Sequence, residues 1–329
     1  MKDLNVLFGR FQSIKVGIIG DLMLDTYLWG TVDRISPEAP VPIITLQKKE
    51  QRLGGAGNVA LNIKSLGATA YMIGITGADE DNRILMDLFS LSGINTSYCL
   101  TSTERITTNK TRIIGRNQQM MRLDAEILSD LNKSDEQSLI DSFTKFIETE
   151  RPDLVILEDY NKGVLTEKVI SEVISICNKF QIVTAVDPKR KNFFAYRSVN
   201  IFKPNLKEVR DALNLLSTRS DLNSLKDIHQ QLASLLDHHI SLITLSEKGV
   251  FYHDDKHAEL IPSHVRSIAD VSGAGDTVIA VASLVYAATK NSQLMAEISN
   301  IAGGLVCEEV GTVAIDKEKL LKECLLILN

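Results

Sequence analysis

Cysteine is scarce in this chain, and the four present, Cys99, Cys177, Cys307 and Cys324, stand far apart. No CxxC pair and no neighbouring histidine completes a zinc ligand set, which excludes a zinc-finger or thioredoxin-like reading and leaves reduced, buried thiols. Proline is also scarce, at 7 residues, and there is no low-complexity run or repeated period, so neither a disordered tract nor a solenoid is expected. No apolar stretch reaches membrane-spanning length without interruption. The N-terminal MKDLNVLFGRFQSIK carries charges where a signal peptide would carry an apolar core. The expected location is therefore the cytoplasm, with no membrane partner. Positive charge is not in excess either: 36 Lys and Arg against 42 Asp and Glu give a net charge of -6. That removes a global footprint for nucleic acid and leaves room for a local basic pocket suited to a phosphorylated metabolite. The 6 histidines suggest no catalytic constellation, since His238 and His239 fall in a connector and His253, His257 and His264 near turns.

What is present is an ordinary globular composition over 329 residues, 44% hydrophobic and 24% charged, enough to bury a substantial core. A short helix candidate is followed by a buried strand over 16–20, ending in Gly20-Asp21. Helix and strand patterns then alternate: helix 57–66, strand 70–75, helix 80–92, strand 154–158, helix 166–179, strand 182–187, strand 199–203, a helix from Leu206, and strand 241–245. Helical periodicity closes the chain at 276–289, 292–308 and 316–327. Such alternation argues for a mainly parallel sheet covered by helices, with ligands beyond the carboxyl ends of the strands. Residues 31–47, TVDRISPEAPVPIITLQ, combine three prolines with a β-branched run and suit an extended edge segment. Residues 106–122 could supply matching strands around a turn near 115–117, making a protruding lid that is discontinuous in sequence.

Four motifs carry candidate chemistry. Asp270-Val271-Ser272-Gly273-Ala274-Gly275-Asp276 is a small-residue loop running into the apolar helix VIAVASLVYAA, able to aim several backbone N–H groups at an anion. Phosphoryl transfer needs that arrangement together with a carboxylate that accepts the attacking hydroxyl's proton, and Asp276 suits that role. The plainer alternative is a glycine turn with Asp276 capping the helix. Gly54-Gly55-Ala56-Gly57-Asn58 allows close backbone approach, and Asn58 offers a donor and an acceptor to sugar hydroxyls; the alternative is a helix entry capped by Asn58. Its spacing fits neither a P-loop nor the GxGxxG of a dehydrogenase. Lys203-Pro204-Asn205-Leu206-Lys207-Glu208 could hold magnesium through water by Asn205 and Glu208, against plain helix capping by Asn205. Thr244-Leu245-Ser246-Glu247-Lys248-Gly249 places hydroxyls at a strand end before a hairpin-like turn, suited to ribose or nucleotide phosphate.

In this order, GGAGN, NLKE, TLSEKG and DVSGAGD resemble the motifs of the ribokinase-like, or PfkB, carbohydrate kinases. GDLMLD, VDRISPEAPVP, RNQQMMRLD, EDYNKGVL, DPKRKNFFAYR and EEVGT further resemble the branch acting on D-glycero-β-D-manno-heptose 7-phosphate, over about residues 16–315. The resemblance implies an α/β ribokinase-like three-layer sandwich, a single domain over 1–329 with lid segments at about 27–50 and 104–124. It implies transfer of the ATP γ-phosphoryl to the anomeric O1 of that heptose phosphate, a step toward ADP-heptose and the lipopolysaccharide inner core. ATP and Mg2+ are the implied cofactors, with K+ a further candidate. The expected partners are a sugar phosphate, ATP and a second copy of the chain, the apolar Val41, Ile43 and Ile44 inviting lid pairing. In many relatives the kinase is fused to a nucleotidyltransferase, whereas no HxGH-type motif occurs here, so a kinase alone is expected.

Residue by residue, the resemblance makes Asp276 the base and Gly273, Ala274 and Gly275 the anion hole. Asn205 and Glu208 organise magnesium, Thr244, Ser246, Gly249 and Gly275 border the nucleotide, and Asp270 belongs to a monovalent-cation loop. Asp25, Asn58 and Gly55, with Asp21 as a weaker candidate, face the sugar. Lys189, Arg116 and Arg122 are the candidate cations for the distal phosphate. Three positions depart from the family pattern: Ser272 where Thr is usual, Gly57 where Ala is common, and Glu158 where a small residue often precedes Asp159. The rival readings are a PfkB kinase for another sugar or sugar phosphate and a catalytically silent sugar-phosphate-binding relative.

Overall fold

A computed structural model of the chain describes residues 3–115, 118–216, 219–264 and 266–328. Short apolar runs form the strands of its main sheet: β1 (Lys15–Gly20), β4 (Thr69–Gly77), β5 (Asn95–Ser102), β8 (Leu154–Glu158), β9 (Val183–Asp187), β10 (Ile201–Phe202) and β11 (Ile240–Thr244), all parallel. An antiparallel pair, β12 (Val250–His253) and β13 (Ala258–Ile261), completes the order β13-β12-β11-β10-β9-β8-β1-β4-β5. Continuous runs such as LVILE and VTAVD have no polar alternation because both faces are covered. On one face, Val16, Ile18, Leu154 and Ile156 pack with helices α1 (Leu4–Arg10), α2 (Ala56–Ser65), α8 (Ala274–Thr289), α9 (Ser292–Val306) and α10 (Lys317–Leu328). On the other, Ile19, Val155 and Leu157 pack with α4 (Lys133–Glu150), α5 (Glu167–Lys179) and α7 (Leu222–Leu236). The result is a three-layer α/β/α body.

A second, four-stranded sheet has the order β3-β2-β6-β7, from β2 (Leu22–Ile35), β3 (Pro42–Gly55), β6 (Thr108–Gly115) and β7 (Gln118–Ala125). Two segments remote in sequence meet in it, because β2 pairs with β3 antiparallel and with β6 parallel. The expected edge character of 31–47 applies to part of that stretch. Residues 31–35 pair with β3 alone, whereas earlier β2 lies between β3 and β6. The expected turn at 115–117 falls between β6 and β7, and Arg116 lies outside the described residues. Helices α3 (Glu80–Leu91) and α6 (Leu206–Leu213) finish the fold, and no described helix is long and apolar enough to cross a membrane.

Helices α4 and α7 and strand β5 were not expected from the sequence pattern. Both helices carry their signals at the ends, an Asn132 cap and an Asp221 cap, over segments whose outer faces are strongly polar.

One buried amide ties the helical layer on the α8 side to the site. Asn62 on α2 donates to Asn58 O at 2.9 Å, while its Oδ1 accepts from Thr277 Oγ1 at 3.1 Å and from Ile315 N at 2.9 Å. Replacing it by a similar apolar shape strands those buried groups, at about 1–3 kcal/mol for each donor left unpaired. Asn62→Leu is therefore expected to lower stability by about 2–5 kcal/mol, seen as a lower urea midpoint with little change in slope; an unchanged midpoint would contradict this assignment.

Candidate active site

The carboxyl ends of adjacent parallel strands place their last side chains in a row. Gly20 of β1 is in register with Glu158 of β8, and Glu158 with Asp187 of β9. Lys203 follows β10, and Thr244 ends β11. Facing this row is the start of α8, where Gly273 serves as the N-cap with φ +79° and Asp276 falls in the first turn. The helix thus begins two residues earlier than the periodicity suggested. Gly273, Ala274 and Gly275 form its entry, where the first backbone N–H groups have no intrahelical acceptor and the helix dipole favours an anion.

Asp276 is almost fully buried, and its carboxylate does not cap the helix. Asn58 donates to its Oδ2 at 2.8 Å and the Tyr160 hydroxyl to its Oδ1 at 2.6 Å. Burial pushes its pKa up to about 6, against the hydrogen bonds from Tyr160 and Asn58, which favour the charged form. Asn58 likewise does not cap α2, whose N-cap is Gly55 at φ +57°; its amide is spent on Asp276.

Around Asp276 lies a compact set of charges. Lys203 Nζ is 2.7 Å from Asp187 Oδ2, and Lys189 Nζ lies 3.0 Å from Asp187 Oδ1 and 2.8 Å from Glu208 Oε1. Burial alone would raise the Asp187 pKa, but Lys189 and Lys203 outweigh it and hold the carboxyl below its usual range. For Glu158 the balance goes the other way: both its oxygens are buried without a hydrogen-bond partner, and burial, then Asp187 and Asp276, push its pKa well up against the weaker pull of Lys189 and Lys203. Ligand oxygens of Glu158, Asp187 and Asp276 lie within 4.8 Å of one another. An oxygen-only set with one carboxylate left unpartnered fits a hard divalent cation such as magnesium. Asn205 and Glu208 are committed differently. They form a reciprocal capping box on α6, Asn205 accepting from Glu208 N at 2.8 Å and Glu208 Oε2 from Asn205 N at 2.7 Å, while Glu208 Oε1 takes Lys189. The capping alternative is thus realised, and contact with a cation through water is the route left open to the pair.

The remaining expected residues divide into those the structure gathers and those it does not. Asp25 is buried under the second sheet, paired with Arg112 at 2.6 Å, and Gly54 permits this approach, since a Cβ there would sit 2.6 Å from Asp25 Oδ2. Asp21 is committed within the protein. Its oxygens accept from the backbone N–H groups of Tyr160, Lys162 and Val164, so it shapes the loop that carries Tyr160. Lys189, expected at a distal phosphate, instead stands with the strand-end carboxylates, because Asp187 and Glu208 compete for its ammonium. Arg122 is half exposed and pairs with Asp124 at 2.8 Å. Asp270 accepts from Ser272 N and Oγ and from Gly311 N, which ties the two loops together. Thr244 and Ser246 flank the β11–β12 turn, and Gly249, at φ +95°, closes it where a Cβ would strike Ile261 O. Tyr160, Asp187 and Lys203 were missed as site residues; their position at or just after strand ends was the available signal.

The two glycines at the entry of α8 differ in what they tolerate. A Cβ on Gly273 would lie 2.8 Å from Asn58 Nδ2 in a left-handed backbone, whereas one on Gly275 would meet Asp187 and Lys203 at an ordinary 3.7 Å. Gly273→Ala is expected to cost about 1–2 kcal/mol in backbone strain alone, and Gly275→Ala clearly less. Thermal melting of the two variants side by side checks this, and equal losses would refute it.

A family model described as pfkB family carbohydrate kinase matches residues 13–319. The chain is 37% identical over 305 residues to the bifunctional protein HldE of Aliarcobacter butzleri, covering 92% of this chain and 63% of the relative. It is 35% identical over 321 residues to that of Geobacter sulfurreducens, covering 97% and 65%. The chain thus spans somewhat less than two thirds of the length of these relatives. In structure it is similar to phosphofructokinase-2 from Escherichia coli in complex with potassium (TM-score 0.80, 16% identity, 96% of this chain and 100% of the other). It is also similar to ribokinase from Arabidopsis thaliana complexed with ribose and ATP (TM-score 0.72, 15% identity, 94% and 99%). The fold is therefore ribokinase-like, and the chain belongs to the pfkB family of carbohydrate kinases.

Proposed function

We propose that this sugar kinase transfers the γ-phosphoryl of ATP to the anomeric O1 of D-glycero-β-D-manno-heptose 7-phosphate, giving the 1,7-bisphosphate on the route to ADP-heptose. The observation that carries phosphoryl transfer is Asp276: a buried carboxylate at a helix entry, fixed by Asn58 and Tyr160, beside amides suited to a phosphoryl group. The heptose assignment rests on the motifs from GDLMLD to EEVGT and on the similarity to HldE proteins along nearly the whole chain.

In this reading Asp276 takes the proton of the acceptor hydroxyl as its oxygen bonds to the γ-phosphorus and the bond to the β–γ bridging oxygen breaks. Gly273, Ala274 and Gly275 present N–H groups to the phosphoryl, and Asp25 with Asn58 orients the sugar. Thr244, Ser246 and Gly249 border the nucleotide. Glu158, whose oxygens are unpartnered, with Asn205 and Glu208 through water, would hold magnesium, which would supply neutralisation of phosphate charge. Asp270 is the candidate for a monovalent cation. The reaction would run in the cytoplasm, where its nucleotide is made. A homodimer through the second sheet is supported by the exposed Val41, Met121 and Leu123. A second acceptor reading, another sugar or sugar phosphate, is favoured by Glu158, a carboxylate where the family usually has a small residue.

The first test is ATP consumption with this heptose phosphate beside fructose 6-phosphate, ribose and adenosine, with product position read by phosphorus NMR. Turnover to an anomeric phosphate that falls about 10²–10⁴-fold in Asp276→Asn is expected; preference for another acceptor would discard the heptose assignment and keep the kinase. The pH profile tests the base. With the Asp276 pKa raised to about 6, its carboxylate is available above that value, so kcat/KM should fall as pH drops through it. Tyr160→Phe removes a hydrogen bond that favours the charged form, and should move that acid limb to higher pH. A limb that stays in place or moves down would show that Tyr160 does not set the base.

A further inference from the structure

The inward face of the second sheet carries a charge pattern that the residues assigned above do not absorb. Register places Asp25 and Tyr27 of β2, Lys110 and Arg112 of β6, and Arg122 and Asp124 of β7 on one side, since Asp25 pairs with Lys110, Tyr27 with Arg112, Lys110 with Asp124 and Arg112 with Arg122. The other cations of this face are committed: Arg112 to Asp25 at 2.6 Å, Arg122 to Asp124 at 2.8 Å, and, on β3 across from β2, Arg52 and Lys48 to Glu50. Lys110 is not. Among the described residues it has no carboxylate within ion-pair distance, and its ammonium sits 5.4 Å from the centre of the Tyr160 ring. Lys162, ion-paired with Glu126 at 2.7 Å, brings a second positive charge close by. Burial, and then the field of Lys162, works against the charge on Lys110 and lowers its pKa.

Asp25, Glu126 and Asp124 offset part of this from a distance, but none of them is in ion-pair contact with Lys110, so the ammonium is free to take an anion directly. The location says which molecule brings the anion. The Tyr160 ring whose hydroxyl donates to Asp276 has Lys110 at 5.4 Å and Lys189 at 5.6 Å from its centre; Lys189 is taken up by Asp187 and Glu208, which leaves Lys110 as the ammonium at this ring without an ion-pair contact. An acceptor with its reacting hydroxyl at Asp276 and an anionic group farther along would span that ring. We propose that Lys110, assisted by Lys162, is the specificity-determining subsite for the distal phosphomonoester of the acceptor, in place of Lys189 and Arg122. This rests on the reading that the acceptor is a sugar phosphate.

The test uses the full chain and two readouts. Steady-state kinetics compare D-glycero-β-D-manno-heptose 7-phosphate with the unphosphorylated heptose for wild type, Lys110→Met, Lys110→Arg and Lys162→Met. Trp29, the single tryptophan, lies two residues beyond Tyr27 on β2 with its ring 6.4 Å from the Tyr27 ring, so its fluorescence reports binding of the same heptose phosphate without turnover. Lys110→Met should raise the KM and dissociation constant for the phosphorylated acceptor tenfold or more, leave the KM for ATP and the constants for the unphosphorylated heptose within twofold, and be largely rescued in Lys110→Arg. Lys162→Met should show the same selective loss, smaller in size. An acceptor KM within twofold of wild type in Lys110→Met, or a loss shared equally by ATP, overturns the subsite while the sugar-phosphate reading stands. Wild-type preference for the unphosphorylated heptose overturns both.

Discussion

The site depends on the buried ion cluster at the ends of β8, β9 and β10. Asp187 stands at the centre, with Lys203 and Lys189 on its two oxygens, and Lys189 passes the link on to Glu208 and so to the cap of α6. A carboxylate buried without a partner would cost several kcal/mol, and removing one partner from a buried pair costs about 3–5 kcal/mol. The ends of β9 and β10 and the α6 cap are therefore held in one arrangement by charges that have no cheaper place to go. Asp276 sits against this cluster, and the cluster's field helps to set its acidity.

Glu158 makes the balance incomplete. It adds a carboxylate in register with Asp187 but brings no cation, so its oxygens remain buried and unpartnered. Such a group either keeps its proton or takes a metal ion. A small residue at the same point would need neither. Among the described residues, Glu158 is thus where the charge of this cluster is left unsatisfied.

Much of this was legible in the sequence because the relevant signals are local. Val16 to Gly20, Leu154 to Glu158 and the run into α8 read as strands and helix through apolar pattern alone, and small residues at 273–275 marked the entry of that helix. Pairings across the chain were not legible. Lys189 in Asp-Pro-Lys looked like a free cation for a phosphate, and nothing local says that Glu208, nineteen residues on, will take it. Asp21 looked like a ligand residue because it follows a strand, yet the loop after β8 folds back to occupy it. Lys110 gave no signal at all, since its importance arises from Arg112 and Arg122 having found carboxylates on the same face while it did not.

That contrast explains how one small sheet can serve both as cover and as recognition surface. Inward positions along β2, β6 and β7 alternate with outward Met121 and Leu123, so period-two geometry separates a charged lining from an apolar exterior without any further device. Within the lining, ion pairs fix the cations that shape the pocket, and Tyr27 keeps Arg52 and Arg112 near its ring at 5.1 and 5.2 Å. Tyr160 then joins lid to body, its ring beneath Lys110 and its hydroxyl on Asp276. Asp276, the proposed base, is consequently oriented by the same residue that borders the cationic face, and in the proposed reading the spacing between reacting hydroxyl and anion would be set by that one ring.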